Sequence, residues 1–180
     1  MSDAKTCGNG GNGGDSGNAG TIADVLLVID TVTLLDKHPE AATEPVDVDG
    51  AECFALAPRG DALTGLSASS WQIDVRPGAQ LRLRWTPLAM RGEHALLLQL
   101  SLDGETTLGK LQLHVEEHAV RYAPQAGTPE EAVAHEAPDA FWQAAVVGSG
   151  TAEVSVDALV TDRDANVLGR LRWPLRIIVP

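Results

Sequence analysis

Aromatic residues are scarce in this 180-residue chain: they make up 4% of it, as four Trp, two Phe and one Tyr. A folded core must therefore be built mainly from Leu, Val, Ile and Ala. Cysteine is almost absent too. Cys7 and Cys53 alone cannot form a disulfide-stapled scaffold, and Cys53 in the apolar run ECFALA reads as a small buried hydrophobe. The first residues have no apolar h-region, so no secretory signal is expected. Long hydrophobic runs are missing as well. The longest, Val25 to Leu35, is interrupted by Asp30 and falls short of a membrane span. Basic charge is in deficit, with 13 Lys and Arg against 25 Asp and Glu and a net charge of -12. Phosphate backbones and anionic lipid surfaces would on average be repelled, which argues against nucleic-acid and membrane partners. These absences together point to a soluble, acidic, cytoplasmic protein.

What is present is enough for one core. Hydrophobic residues are 44% of the chain, and the length suits a single domain. Residues 1–21 are dominated by Gly, Asn, Ser and Asp and have little to bury, so a disordered Gly/Asn-rich tail is expected there, with the folded domain over residues 22–180. The tail glycines are not a phosphate loop, because no strand precedes them and no Lys-Ser/Thr follows.

From Asp24, DVLLVIDT has the β-branched and Leu content of a buried strand, and LLDKHPE predicts one helical turn ended at Pro39. In SWQIDVRPGAQLRLRW, Trp71, Ile73 and Val75 share one face, as do Leu81, Leu83 and Trp85 further on. Pro77-Gly78 between the two runs predicts a β-hairpin with one dry face. HALLLQLSL reads as a more fully buried strand, closed by Asp103-Gly104. Thr128-Pro-Glu-Glu131 has capping-box spacing and predicts a short helix from Pro129 to Glu136. AEVSVDALV is a further alternating strand, Asp162 to Asn166 a turn, and VLGRLRWPLRIIV a last strand bent or interrupted at Pro174. The expected architecture is all-β: a single β-sandwich of about eight or nine mostly antiparallel strands with one short helix.

Three stretches resemble the PixA/AidA family of bacterial inclusion body proteins. DVLLVIDTVTLLDKHP is similar to the family's entry strand, with His38 where an aromatic is usual. SWQIDVRPGAQLRLRWTPLAM is similar to its alternating pair joined by a Gly turn. FWQAAVVGSGTAEVSVDALVTDRDANVLGRLRWPLRIIVP follows its aromatic pair, Gly-x-Gly-Thr, Asp-Arg turn, Gly-x-x-x-Trp and final Ile-Val. The resemblance covers most of residues 24–180. It implies a β-sandwich found inside bacterial cells, associated with dense cultures and protein inclusions, and it carries over no catalytic residues and no cofactor.

Among chemistry-bearing motifs, His114-Val-Glu-Glu-His118 fits H-x-x-E-H. On a helix His114 and His118 would share a face and chelate zinc, with Glu117 as general base. Yet Leu111, Leu113 and Val115 alternate with Lys110, Gln112 and His114, as in a strand. There the two imidazoles would sit roughly 13 Å apart, too far to share an ion. Asp162-Arg-Asp-Ala-Asn166 begins like a calcium loop but lacks its Gly at the sixth position and Glu at the twelfth. Other loop carboxylates (Asp47, Asp49, Asp61, Asp103) could meet at a calcium site only through the fold. Ser149, in Gly-Ser-Gly, lacks a nucleophile elbow. Arg82 and Arg84, with Arg170, Arg172 and Arg176, would make a basic patch only if their strands were neighbours. Four tryptophans (Trp71, Trp85, Trp142, Trp173) admit a glycan-stacking reading, although Trp71 and Trp85 fall on inward faces. The sequence thus supports a non-enzymatic protein of the inclusion-body type, acting by self-association or partner binding. The alternatives are a calcium-, small-ligand- or glycan-binding module and, behind it, a zinc hydrolase.

Overall fold

The computed structural model describes residues 21–58, 63–67, 70–73, 75–89 and 91–180. Apart from Thr21, the expected disordered tail lies outside these residues, as do Asp61 and the side chains of Trp71 and Ile73. In chain order the elements are β1 (Ile22–Ile29), α1 (Thr31–Lys37), a 3-10 turn (Pro39–Ala42), β2 (Val46–Asp47), β3 (Cys53–Leu56), β4 (Leu63–Ser67) and β5 (Ser70–Ile73). Then come β6 (Gln80–Pro87), β7 (Ala95–Leu102), β8 (Gln112–Gln125), β9 (Thr128–Ala145), β10 (Gly150–Thr161) and β11 (Val167–Val179). The fold is all-β. It has more strands than the eight or nine expected, because pieces as short as β2 carry no periodicity of their own.

Two mixed sheets enclose one hydrophobic cluster. The first runs β3-β1-β6-β9-β8, and the second runs β4-β5-β11-β10-β7 with β2 also on β11. Period-2 alternation sends Val25, Leu27 and Ile29 of β1 and Leu81 and Leu83 of β6 inward. From the other sheet come Val154 and Val156 of β10 and Leu171, Trp173, Leu175 and Ile177 of β11. Above β11, a Cβ on Gly169 would lie 2.5 Å from Leu35 Cδ2. The absence of a side chain there lets α1 and the 3-10 turn close over the sheet.

Several elements differ from the sequence reading. α1 starts earlier than LLDKHPE suggested, because Asp30 caps it: its Oδ1 accepts from the Thr33 N–H at 3.0 Å. β5 and β6 are not a hairpin. β5 pairs with β11 and β4, whereas β6 pairs with β1 and β9. Alternation identifies a dry face but not the partner. Two strands either side of Pro77-Gly78 (Gly78 φ 94°) can each point that face at the same core from opposite sheets. β7 is dry on one face only: Leu96, Leu98 and Leu100 are buried, while Leu97 is 59% exposed on the outer strand of its sheet.

The helix expected at Pro129–Glu136 is part of β9 instead. Thr128 Oγ1 does donate to Glu131 Oε2 at 3.3 Å, but this is a bond between side chains and not the side-chain-to-backbone exchange of a capping box. A helix of eight residues is marginal alone, and cross-strand bonding to β8 prevails. Nor does Pro174 interrupt β11. Arg172 accepts from Val48 N–H on the β2 side, so the even-numbered backbone groups of β11 face that way. Pro174 then falls between the β2 pairing, at Leu171 and Arg172, and the β5 pairing, which starts at Arg176. Its missing N–H has no ladder bond to break.

Candidate functional site

The fold disperses the residues the sequence singled out. His114 and Phe141 oppose each other across the β8–β9 ladder and stack at 5.1 Å between ring centroids on the outer face. The Arg82 and Arg84 guanidinium carbons stand 5.2 and 4.8 Å from the centroid of the same Phe141 ring. Glu117 and His118 fall in a bulge where the register shifts between Glu116 and Ala119. His118 Nδ1 lies 3.1 Å from Glu136 Oε2, and Glu136 is on the opposite face of β9 from Phe141. His114 and His118 therefore do not converge. Among the described residues no group of three or more His, Cys, Asp and Glu side chains is placed to hold a metal ion.

The Asp162 carboxylate is used by its own turn. Oδ1 accepts from the Asp164 and Asn166 N–H groups and Oδ2 from the Asn166 side chain, all at 2.8 Å, around Ala165 at φ 63°. The Asn166 side-chain bond, followed by its backbone bond, holds the Asp162 carboxyl below its ordinary range. Ser149 Oγ donates to the Pro180 carbonyl at 2.7 Å. Burial, reinforced by Glu52 and Asp49, pushes the Cys53 thiol up to about 12, so it is protonated and inert at neutral pH.

The arginines do not form one patch, since β6 and β11 belong to different sheets. Arg82 donates to Gln143 at 2.9 Å, and Arg84 bridges Asp24 at 3.0 Å and Asp139 at 3.3 Å. On β11, Arg172 bonds Asp157 at 2.9 Å and Arg176 bonds Glu153 at 2.7 Å. Arg170 has no ion pair among the described residues.

What the sequence reading missed is a groove where the two sheets part. Its volume is about 670 Å³, and its lining is largely apolar. It is lined by Leu97 of β7 and Leu159 of β10, by Leu113 and Val115 of β8, by Trp85 and Trp142, and by Arg170. Both indoles are tied down. Trp85 Nε1–H donates to the Leu96 carbonyl at 2.8 Å, and Trp142 Nε1–H donates to the Leu98 carbonyl at 3.0 Å. In the β7–β10 ladder the odd-numbered backbone groups of β7 face β10, as the Asp103 N–H to Glu153 bond just beyond the strand continues to show. The carbonyls of Leu96 and Leu98 hence lie on the open edge of the second sheet. Two side chains from the first sheet occupy acceptors that another strand would otherwise use. One signal could have revealed this lining: Leu97 is apolar on the face of β7 that also carries Gln99 and Ser101.

Beside the groove, β8 and β9 leave the body of the protein. β9 pairs β6 only from Trp142 to Ala145, and from Phe141 outward its register partner is β8 alone. Before the bulge, Leu113 and Val115 oppose Trp142 and Ala140; after it, Val120, Tyr122 and Pro124 oppose Glu136, Ala134 and Ala132. On β9 these partners are all even-numbered and share one face. The bulge therefore moves the apolar positions of β8 from odd to even and keeps them on the groove side. No strand of the second sheet is hydrogen-bonded to this ribbon among the described residues. Leu113, Val115 and Val120 are each about half exposed, and Tyr122 is 73% exposed.

A family model described as "PixA: Inclusion body protein" matches residues 21–179. The crystal structure of an inclusion body protein (PixA) from Burkholderia cenocepacia J2315 aligns with a TM-score of 0.70 at 19% identity, over 92% of this chain and 99% of that one. A cysteine protease inhibitor, EhICP2, from Entamoeba histolytica aligns at a TM-score of 0.26 and 8% identity, over 62% of this chain and 86% of that one, too slight a likeness to indicate a shared fold. No curated protein matches the chain. No helix among the described residues is long and apolar enough to cross a membrane.

Proposed function

Since the chain belongs to the PixA inclusion body protein family, we propose that it is a non-enzymatic bacterial protein that works by self-association in the cytoplasm of dense or stressed cultures. The observation that carries this reading is the apolar surface formed by the groove and the ribbon beside it. Contiguous apolar surface of this kind is rare on a protein that stays alone in water, and it marks sites of association. The dispersal of His114, Glu117 and His118 and the protonated Cys53 thiol support the non-enzymatic part of the reading. Sedimentation of the purified protein over a wide concentration range tests it. Reversible growth into dimers or larger species is the expected outcome, and a strict monomer at every concentration overturns it.

The groove favours one second reading, a small apolar ligand held beside the open edge of the second sheet. Its volume of about 670 Å³ lies within the roughly 300–1,000 Å³ usual for ligand sites. Such a ligand would raise the melting temperature of the monomer by mass action. A panel of fatty acids and aromatic compounds that leaves the melting curve unmoved would remove this reading.

A further inference from the structure

We infer that two copies of this chain clasp each other through the β8–β9 ribbon, each laying the apolar face of its ribbon on that of the other about a two-fold axis near the bulge. This rests on the self-association reading and specifies the surface and geometry that would serve it. The ribbon is built for cover on one face. Along β8 that face carries Leu113, Val115, Val120, Tyr122 and Pro124, kept in phase only by the two bulge residues Glu117 and His118. Along β9, from Ala132 to Trp142, its even-numbered residues include a single charge, Glu136, whose carboxylate is turned to His118 at 3.1 Å. The outward face instead carries Arg121 and Asp139, an ion pair at 2.6 Å.

A second copy is the occupant that area and charge favour. The stripe from Leu113 to Pro124 is about 36 Å long at strand rise and about 10 Å wide across two strands. Laid on its own copy, with the relief of side chains added, it removes on the order of 1,000 Å² from water, the size at which specific interfaces begin. A two-fold arrangement is self-complementary. Running antiparallel, it sets Tyr122 of one copy against Leu113 of the other, so each tip reaches the other's groove. It also brings the acidic tip, with Glu130 and Glu131, toward Arg170 in the groove lining, which has no ion pair of its own among the described residues. Strand addition at β7 is the less suitable route, because Trp85 and Trp142 already bond that edge.

Cysteine pairs read the register directly. In a Cys7→Ser background, with Cys53 buried, Leu113→Cys and Tyr122→Cys proteins are mixed and treated with a short bis-maleimide. The clasp predicts a covalent dimer in the mixture and little in either variant alone. A mixture no better joined than the single variants overturns it. Tyr122→Glu supplies the second measurement: its monomer should unfold as the parent does, while its dimer dissociation constant rises about tenfold or more. If Tyr122→Glu self-associates like the parent, the clasp fails and self-association stands. If the parent itself never associates, both fail.

Discussion

β8 and β11 are nearly the same length, at 14 and 13 residues, and both alternate apolar and polar side chains. On β11 every second residue from Gly169 to Val179 is buried, whereas on β8 none is. The difference lies outside the two strands. β11 sits in the middle of its sheet with the other sheet over its inner face. β8 is the outermost strand of the first sheet, and its apolar side chains Leu113, Val115, Val120 and Tyr122 stay about half exposed or more. Alternation specifies which face of a strand is suited to dryness; only the layer opposite makes it dry. An alternating strand that remains wet in a single chain therefore points to a surface whose cover comes from elsewhere.

The largest expected effect sets a core residue against a ribbon residue. Leu175→Ala, at a fully buried position of β11, should cost about 2–5 kcal/mol by lost transfer energy and a residual cavity. Tyr122→Ala should stay within about 0.5 kcal/mol when urea unfolding is followed at concentrations low enough to keep the chain single. Equal costs would mean that something in the same chain already covers the ribbon, and the contrast would dissolve. A smaller effect belongs to the boundary between the regions. Trp142→Phe keeps most of the apolar area but removes the N–H that reaches the Leu98 carbonyl, for a loss of about 1 kcal/mol. Amide exchange along β7 should quicken with it; unchanged protection would show that the indole bond contributes nothing to holding that edge.

The smallest concerns the turn before β11. Because the Asp162 carboxyl titrates lower in the folded chain than when unfolded, its stabilising contribution is complete above the unfolded value, near pH 4. It then disappears as pH falls through the folded value. Asp162→Ala should flatten the acid limb of the stability curve there and leave the ribbon's behaviour untouched. An acid limb identical to the parent's would mean the turn draws nothing from that carboxylate.

How much of this was legible depended on whether neighbours or distant layers decide a structure. β1, β6, β10 and β11 could be read because their own side chains carry the pattern, and the turn at Asp162–Asn166 because its polar atoms satisfy one another. Strand partners could not be read. The residues around Pro77-Gly78 look alike for a hairpin and for a crossing between sheets. At Thr128–Glu136, local capping chemistry and Ala content favour a helix that pairing with β8 overrules. The groove was hidden for the same reason: Leu97, Val115 and Trp142 lie far apart in sequence and meet only where two layers diverge. His114 and His118, although close in sequence, are separated by the strand geometry that the alternation of Leu111, Leu113 and Val115 indicated, and by a bulge that it did not.

The two indoles in the groove wall also equip the molecule with an optical gauge. Trp85 and Trp142 are half-buried beside open solvent, while Trp173 is already sealed in the core. Whatever fills the groove must dehydrate the first pair and leave Trp173 as it was. Emission on titration should therefore move toward shorter wavelength in proportion to the fraction of grooves occupied. Association can then be followed in dilute solution by the protein's own light, without a dye, a tag or any alteration of the surface under study.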